Sequence, residues 1–151
     1  MKIKNQLRLL ALLTSIGCNP DNKAEKAVLT SADTVAVLQQ VFDDEQLKDK
    51  IAFAYRNHSL RLVMSEVVRP SYRLNVNNQP VAIVPYDSTI EQVNRQEPPR
   101  SYFARVPTFK QLSADKVQVV VVFWGIQRTA IYQVHKQTSG WKIIQREYGF
   151  L

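Results

Sequence analysis

The run Val117-Gln118-Val119-Val120-Val121-Val122-Phe123-Trp124 leaves the chain fewer choices than any other segment. Branched valine side chains are stiff and favour extended backbone. Apolar residues at both odd and even positions leave neither face for water, so the run predicts a central strand covered on each side. A central strand needs neighbours. Residues 102–109, 127–136 and 141–148 supply them, and together they predict an antiparallel meander.

Upstream the strands are shorter. Residues 60–68 read as a strand that Arg69-Pro70 interrupts, because proline donates no ladder hydrogen bond. Residues 72–76 and 81–84 flank Asn77-Asn78-Gln79-Pro80, a hairpin turn by composition. Residues 87–100 hold a short helix and then a polar Pro-Pro break. Before residue 60 the period changes. Val35, Leu38 and Phe42 fall on one helical face, as do Leu47, Ile51, Ala54 and Tyr55, with Asp43-Asp44-Glu45 between them as a helix break. Thr30 stands three residues before Asp33, a capping-box spacing with Asp in the usual Glu position. Residues 51–55 also alternate as a strand would, but the longer 3.6-residue pattern favours helix. The fold class that follows is α+β, an N-terminal helix or helix pair packed on a curved antiparallel meander. This element order resembles the cystatin-like and NTF2-like cone, a fold that hosts enzymes, binders and scaffolds alike.

The first 17 residues predict a removable signal. Met1 to Asn5 is polar and basic, Leu7 to Leu13 is greasy, and small residues close the segment at Gly17. Residues 9–17 would reach roughly 14 Å as a helix against a hydrocarbon core of about 30 Å, too short to span it. The chain has 1 cysteine, Cys18, which excludes a disulfide framework and a cysteine-rich zinc site. Gly17-Cys18 resembles the cleavage pair of a bacterial lipoprotein, with Ser15 and Ile16 standing where that family favours Leu and a small residue. The resemblance implies lipidation of Cys18, a membrane partner through the anchor, and residence in the bacterial cell envelope. Residues 18–29 then read as lipid attachment and tether, and 30–151 as one α+β domain.

Charge and motifs exclude more than they assign. The net charge is +7, of which Lys2, Lys4 and Arg8 contribute three, leaving +4 after the leader. That is modest for nucleic acid, and an exported chain rarely meets any. No metalloprotease, nucleophile-elbow, dinucleotide-fold or P-loop string occurs, and no cofactor is implied. Asp43-Asp44-Glu45 could present oxygens to a hard cation, but Gln46-Leu47-Lys48 supplies no closing ligand. His58 lies in a turn-like stretch. His135 and Glu147 invite a catalytic dyad, yet a two- or four-residue turn near Ser139-Gly140 would set Trp141, Ile143, Gln145 and Glu147 on the face of Ala130, Tyr132 and Val134. His135 would then lie opposite, with Lys142, Ile144, Arg146 and Tyr148. The half-apolar second face and the arginine–tyrosine interleaving mark a ligand or partner surface built from Arg69, Tyr72, Arg73, Arg100, Tyr102, Arg105 and His135. The sequence thus predicts a lipid-anchored domain that binds or scaffolds an envelope protein, glycan or small ligand. The alternative is an NTF2-like carrier or enzyme, with Tyr72, Arg73, Tyr102, Arg105 and His135 converging on a pocket between helix and sheet.

Overall fold

The computed structural model describes residues 28–55, 59–87, 89–90 and 102–151. The leader, Cys18 and most of the tether lie outside the described residues, as do His58, Arg100 and residues 91–101.

Helix α1 spans Ser31–Phe42 and α2 spans Glu45–Tyr55. Thr30 caps α1 as the spacing predicts. Its Oγ1 accepts from the Asp33 amide at 3.1 Å, and the Asp33 carboxylate accepts from the Thr30 amide at 3.3 Å. Two otherwise orphaned donors are satisfied reciprocally. The buried stripes are Val37, Leu38, Val41 and Phe42 on α1, and Leu47, Ile51, Ala54 and Tyr55 on α2. Each large side chain so removed from water contributes about 1.5–3 kcal/mol. The acidic junction does divide the two helices.

Among the described residues eight strands follow: β1 Arg61–Val63, β2 Asn75–Val76, β3 Gln79–Pro80, β4 Ala82–Val84, β5 Phe103–Ser113, β6 Lys116–Trp124, β7 Arg128–Gln137 and β8 Gly140–Phe150. Strands β5 to β8 form the expected antiparallel meander within a six-stranded sheet of order β4-β1-β5-β6-β7-β8. The class is α+β, but the sheet is mixed, because β1 runs parallel to both β4 and β5. Strand β1 has only three residues, and the chain then leaves the sheet before returning as β4. The hairpin turn is also shorter than composition suggests. Asn77 and Asn78 take it alone at φ 52° and 62°, the left-handed pair a two-residue hairpin needs. Asparagine tolerates that region better than most side chains.

Helices cover one sheet face. Val117, Val119, Val121 and Phe123 are completely buried there, with Tyr132, Val134 and Trp141 beside them. The other face differs from expectation. Val63, Ile90 and Phe103 make a second small cluster with Val84 and Trp124, but Val120 and Val122 are only half-buried. Strand β6 is central yet, among the described residues, covered fully on one side; the remaining valines are shielded by their lateral neighbours.

Bulges adjust this sheet at three places. In β5, Val106 and Pro107 together face one residue of β6, which accommodates a proline without an N–H in mid-strand. Leu112 is the extra residue near the end of β5, and Ile144 is the extra residue in β8, where Val134 pairs Ile143 but Gln133 pairs Gln145. The Ile144 bulge corrects the parity predicted above. From that point the alternation is inverted, so Arg146 and Tyr148 turn to the helix face, and Gln145 and Glu147 turn to the face of His135. Tyr132, Val134, Trp141 and Ile143 keep the positions expected of them.

Candidate functional site

Inverted parity assembles a polar cluster inside the domain. Asp44, in the junction between α1 and α2, has a side chain only 4% exposed. Its Oδ2 accepts hydrogen bonds from Tyr132 Oη at 3.0 Å and from Tyr148 Oη, and its Oδ1 lies 3.7 Å from Arg146 Nη1. The two phenol rings meet edge to face at 6.2 Å, and Lys50 Nζ stands 4.8 Å above the Tyr148 ring. Burial, then the bond with Tyr148, pushes the Tyr132 phenol far above its ordinary value; burial and the bond to Asp44 push Tyr148 up to about 12. Both phenols therefore remain donors at neutral pH. A carboxylate held by two donors and closed off from solvent locks helices to sheet; it offers no open position for a substrate.

The acidic junction does not gather a cation. Asp44 turns inward, Asp43 accepts from Gln39 Nε2 at 2.9 Å, and Glu45 pairs with Lys48 at 2.8 Å. Among the described residues no group of three or more His, Cys, Asp and Glu side chains could hold a metal ion.

Among the described residues, the proposed binding side chains do not all meet in one site, although Arg69, Tyr72 and Arg73 are neighbours. Arg69 reaches Ser31 Oγ at 3.4 Å beside the buried Tyr72, and Arg73 is folded onto the carbonyls of Pro70, Ser71 and Tyr72 at 3.2–3.4 Å. Tyr102 stacks at a tilt on Tyr55, 5.7 Å between centroids. Arg105 opens onto a shallow groove of about 580 Å³ with Met64, Glu66 and Tyr86. His135 lies at the far end of the sheet. The pocket between α2 and the β2–β3 hairpin holds about 200 Å³ and is lined by Ile51, Ala52, Tyr55, Leu60 and Val76. None of the five residues expected in a helix–sheet pocket lines it, and of the five only Tyr72 lines the groove between α1 and β5. The Tyr55 hydroxyl is buried, lacks a hydrogen-bond partner among the described residues, and is held protonated by that burial.

His135 takes a different partner from the one tested in the sequence. Its Nε2 lies 2.7 Å from Asp115 Oδ2, and Ser113 Oγ donates to Asp115 Oδ1 at 2.5 Å. These bonds, Ser113's first, hold the Asp115 carboxyl below its usual range. The acid stands between serine and imidazole, so His135 has no path to the serine proton and the trio lacks the order of a nucleophilic triad. Glu147 now shares the face of His135, but it pairs with Ile131 while His135 pairs with Lys142. Four residues of strand, about 13 Å, separate them. The dyad fails by distance, not by face.

The outer sheet face is ordered in rows. Lys116, His135 and Lys142 are successive cross-strand partners on β6, β7 and β8. The next row on that face is Lys110, Gln118, Gln133 and Gln145. Sequence parity joined His135 to Lys142 but missed Lys116, which the unshifted β6–β7 ladder pairs with His135, and Lys110, which the Leu112 bulge turns to that face. A signal for the Asp44 cluster was present: an acid set between two apolar helical stripes and a tyrosine on the core face each demand a buried polar partner.

Comparison of the chain with protein-family models, with curated proteins and with solved structures finds no match.

Proposed function

We propose that this chain is a lipid-anchored protein of the bacterial cell envelope, acylated on Cys18, whose small α+β domain binds or scaffolds a partner. The observation that carries the reading is the placement of the chain's 1 cysteine directly after a basic-then-apolar leader and a glycine. A lone exported cysteine has no intramolecular partner, so it is a free thiol, an intermolecular bridge or a modification site, and its place at the end of the apolar segment favours the last. Residues 19–26 lack a bulky apolar side chain, and eight extended residues reach at most about 28 Å. Among the described residues no helix is long and apolar enough to cross a membrane. One acyl chain binds only marginally at about 0.8 kcal/mol per buried methylene, and stable mooring takes more than one.

For the domain, a helix pair on a bulged meander supports an NTF2-like or cystatin-like cone. In a carrier or enzyme of that form the ligand would sit between helix and sheet. The groove between α1 and β5, lined by Ser31, Thr34, Phe109 and Gln111, holds about 260 Å³, below the roughly 300–1,000 Å³ of most small-molecule sites. A binding or scaffolding role fits better.

Mass spectrometry of the membrane fraction is expected to find residues 1–17 removed and acyl mass on Cys18. Cys18→Ser should move the protein from the membrane to the soluble fraction. A chain that keeps Met1 and a bare thiol would end this reading.

A further inference from the structure

We propose that the end of the sheet carrying the β5–β6 and β7–β8 turns is a docking surface for an anionic phospholipid bilayer. The proposal rests on the anchored reading only for the nearness of a membrane; the surface itself stands on geometry.

The first observation is charge. Lys116, His135 and Lys142 lie side by side across three strands, with Lys110 one row inward. Lys116 and Lys142 flank His135 from the two neighbouring strands, so the row concentrates positive charge that an external anion would offset. Asp115 answers only His135, and the exposed Lys110, Lys116 and Lys142 have no carboxylate within ion-pair distance among the described residues. The second observation is apolar. Leu112 and Ile144, the extra residues of two bulges at this same end, are 42% and 46% exposed. Bulges re-aim side chains, and here they place greasy groups beside lysines. Cations with exposed apolar side chains match the headgroup boundary of a bilayer better than they match a soluble polyanion.

The third observation is where the chain enters. Asp33, in the first turn of α1, accepts from Lys136 Nζ at 2.8 Å and Trp141 Nε1 at 3.0 Å, both beside the β7–β8 turn. The leash from residue 18 therefore joins the domain at its cationic end. Anchoring brings this end to the lipid first.

The test uses the full chain with Cys18→Ser, so that acylation plays no part, and Leu112→Cys carrying an environment-sensitive dye. The dye is expected to shift to the blue on vesicles containing phosphatidylglycerol, not on pure phosphatidylcholine, and to lose the shift as salt rises. A dye at Arg61→Cys, at the other end of the sheet, should not respond. Each lysine near an anionic surface contributes about fivefold in affinity, so Lys110→Gln, Lys116→Gln and Lys142→Gln together should weaken the phosphatidylglycerol response on the order of a hundredfold. The same number of charges removed at Lys50, Arg61 and Arg105 should leave the Leu112 dye response within a few fold. Equal responses from the two triple variants, or from dyes at 112 and 61, would overturn the proposal. So would binding to soluble dextran sulfate without a response to vesicles, which would give the row to an anionic glycan. Because Cys18 is absent throughout, failure of the anchor is read separately, from acyl mass on the natural chain.

Discussion

Asp44→Ala is expected to destabilise the domain by about 3–5 kcal/mol, measured by urea unfolding at neutral pH. The carboxylate is 4% exposed and accepts from two phenols, of which Tyr132 is completely buried and Tyr148 partly. Hydrogen bonds to a charged group contribute about 1.5–3 kcal/mol each, and the truncation removes two while leaving the completely buried Tyr132 hydroxyl with only a 3.4 Å contact to Tyr148. The neighbouring Arg146 side chain is 36% exposed, so solvent screens its share and little is lost there. Asp44→Asn keeps an acceptor and should cost less than half as much. The discriminating measurement is a double-mutant cycle with Tyr148→Phe. Coupling of about 1–3 kcal/mol is expected, and additive losses would show that Asp44 holds the junction by some other contact.

How much of this was legible before the structure depends on how local the determinant is. The Thr30–Asp33 cap, the stripe from Leu47 to Tyr55 and the meander from β5 to β8 follow from residue spacing within one element, and they are as the spacing requires. The break at Asp43-Asp44-Glu45 was legible as well. The destination of Asp44 was not, because it depends on which face Tyr148 occupies. Strand parity is a strict rule with a single failure mode, an extra residue, and Ile144 is that residue. Nothing in Ile143-Ile144-Gln145 marks a bulge: no glycine, no proline, only two isoleucines of which one is left outside. The parallel pairing of β1 was hidden for a similar reason, since three residues carry too little pattern to fix a direction. Of the arginine–tyrosine residues described, Arg69, Tyr72 and Arg73 stay together around one loop while Arg105 opens elsewhere, because interleaving in sequence says nothing about convergence across loops. Arg73 spends its donors on its own backbone, whereas the cations that do gather come from three different strands.

Asp33→Ala should cost about 2–4 kcal/mol, and its pH dependence identifies the cause. Three contributions combine at this carboxylate. The capping box is worth about 1 kcal/mol. The bond from the indole of Trp141, a residue 5% exposed, contributes about 1.5–3 kcal/mol. The half-exposed Lys136 adds at most about 1 kcal/mol. The Lys136 bond most of all, then those from Trp141 and Thr30, holds the Asp33 carboxyl far below its usual range in the folded protein. The folded state therefore releases this proton more readily than the unfolded state. Its stabilisation is fully present above the unfolded carboxyl value of about 3.9 and is lost as pH falls below it toward the folded value. Unfolding measured between pH 6 and pH 2 should show a steep acid limb in the parent chain and a shallower one in Asp33→Asn. Trp141 fluorescence, followed in the same titration, should report release of α1 from the β7–β8 hairpin before the core of β6 opens. An acid limb of unchanged steepness in Asp33→Asn would move the responsibility to other carboxylates and leave Asp33 as a helix cap alone.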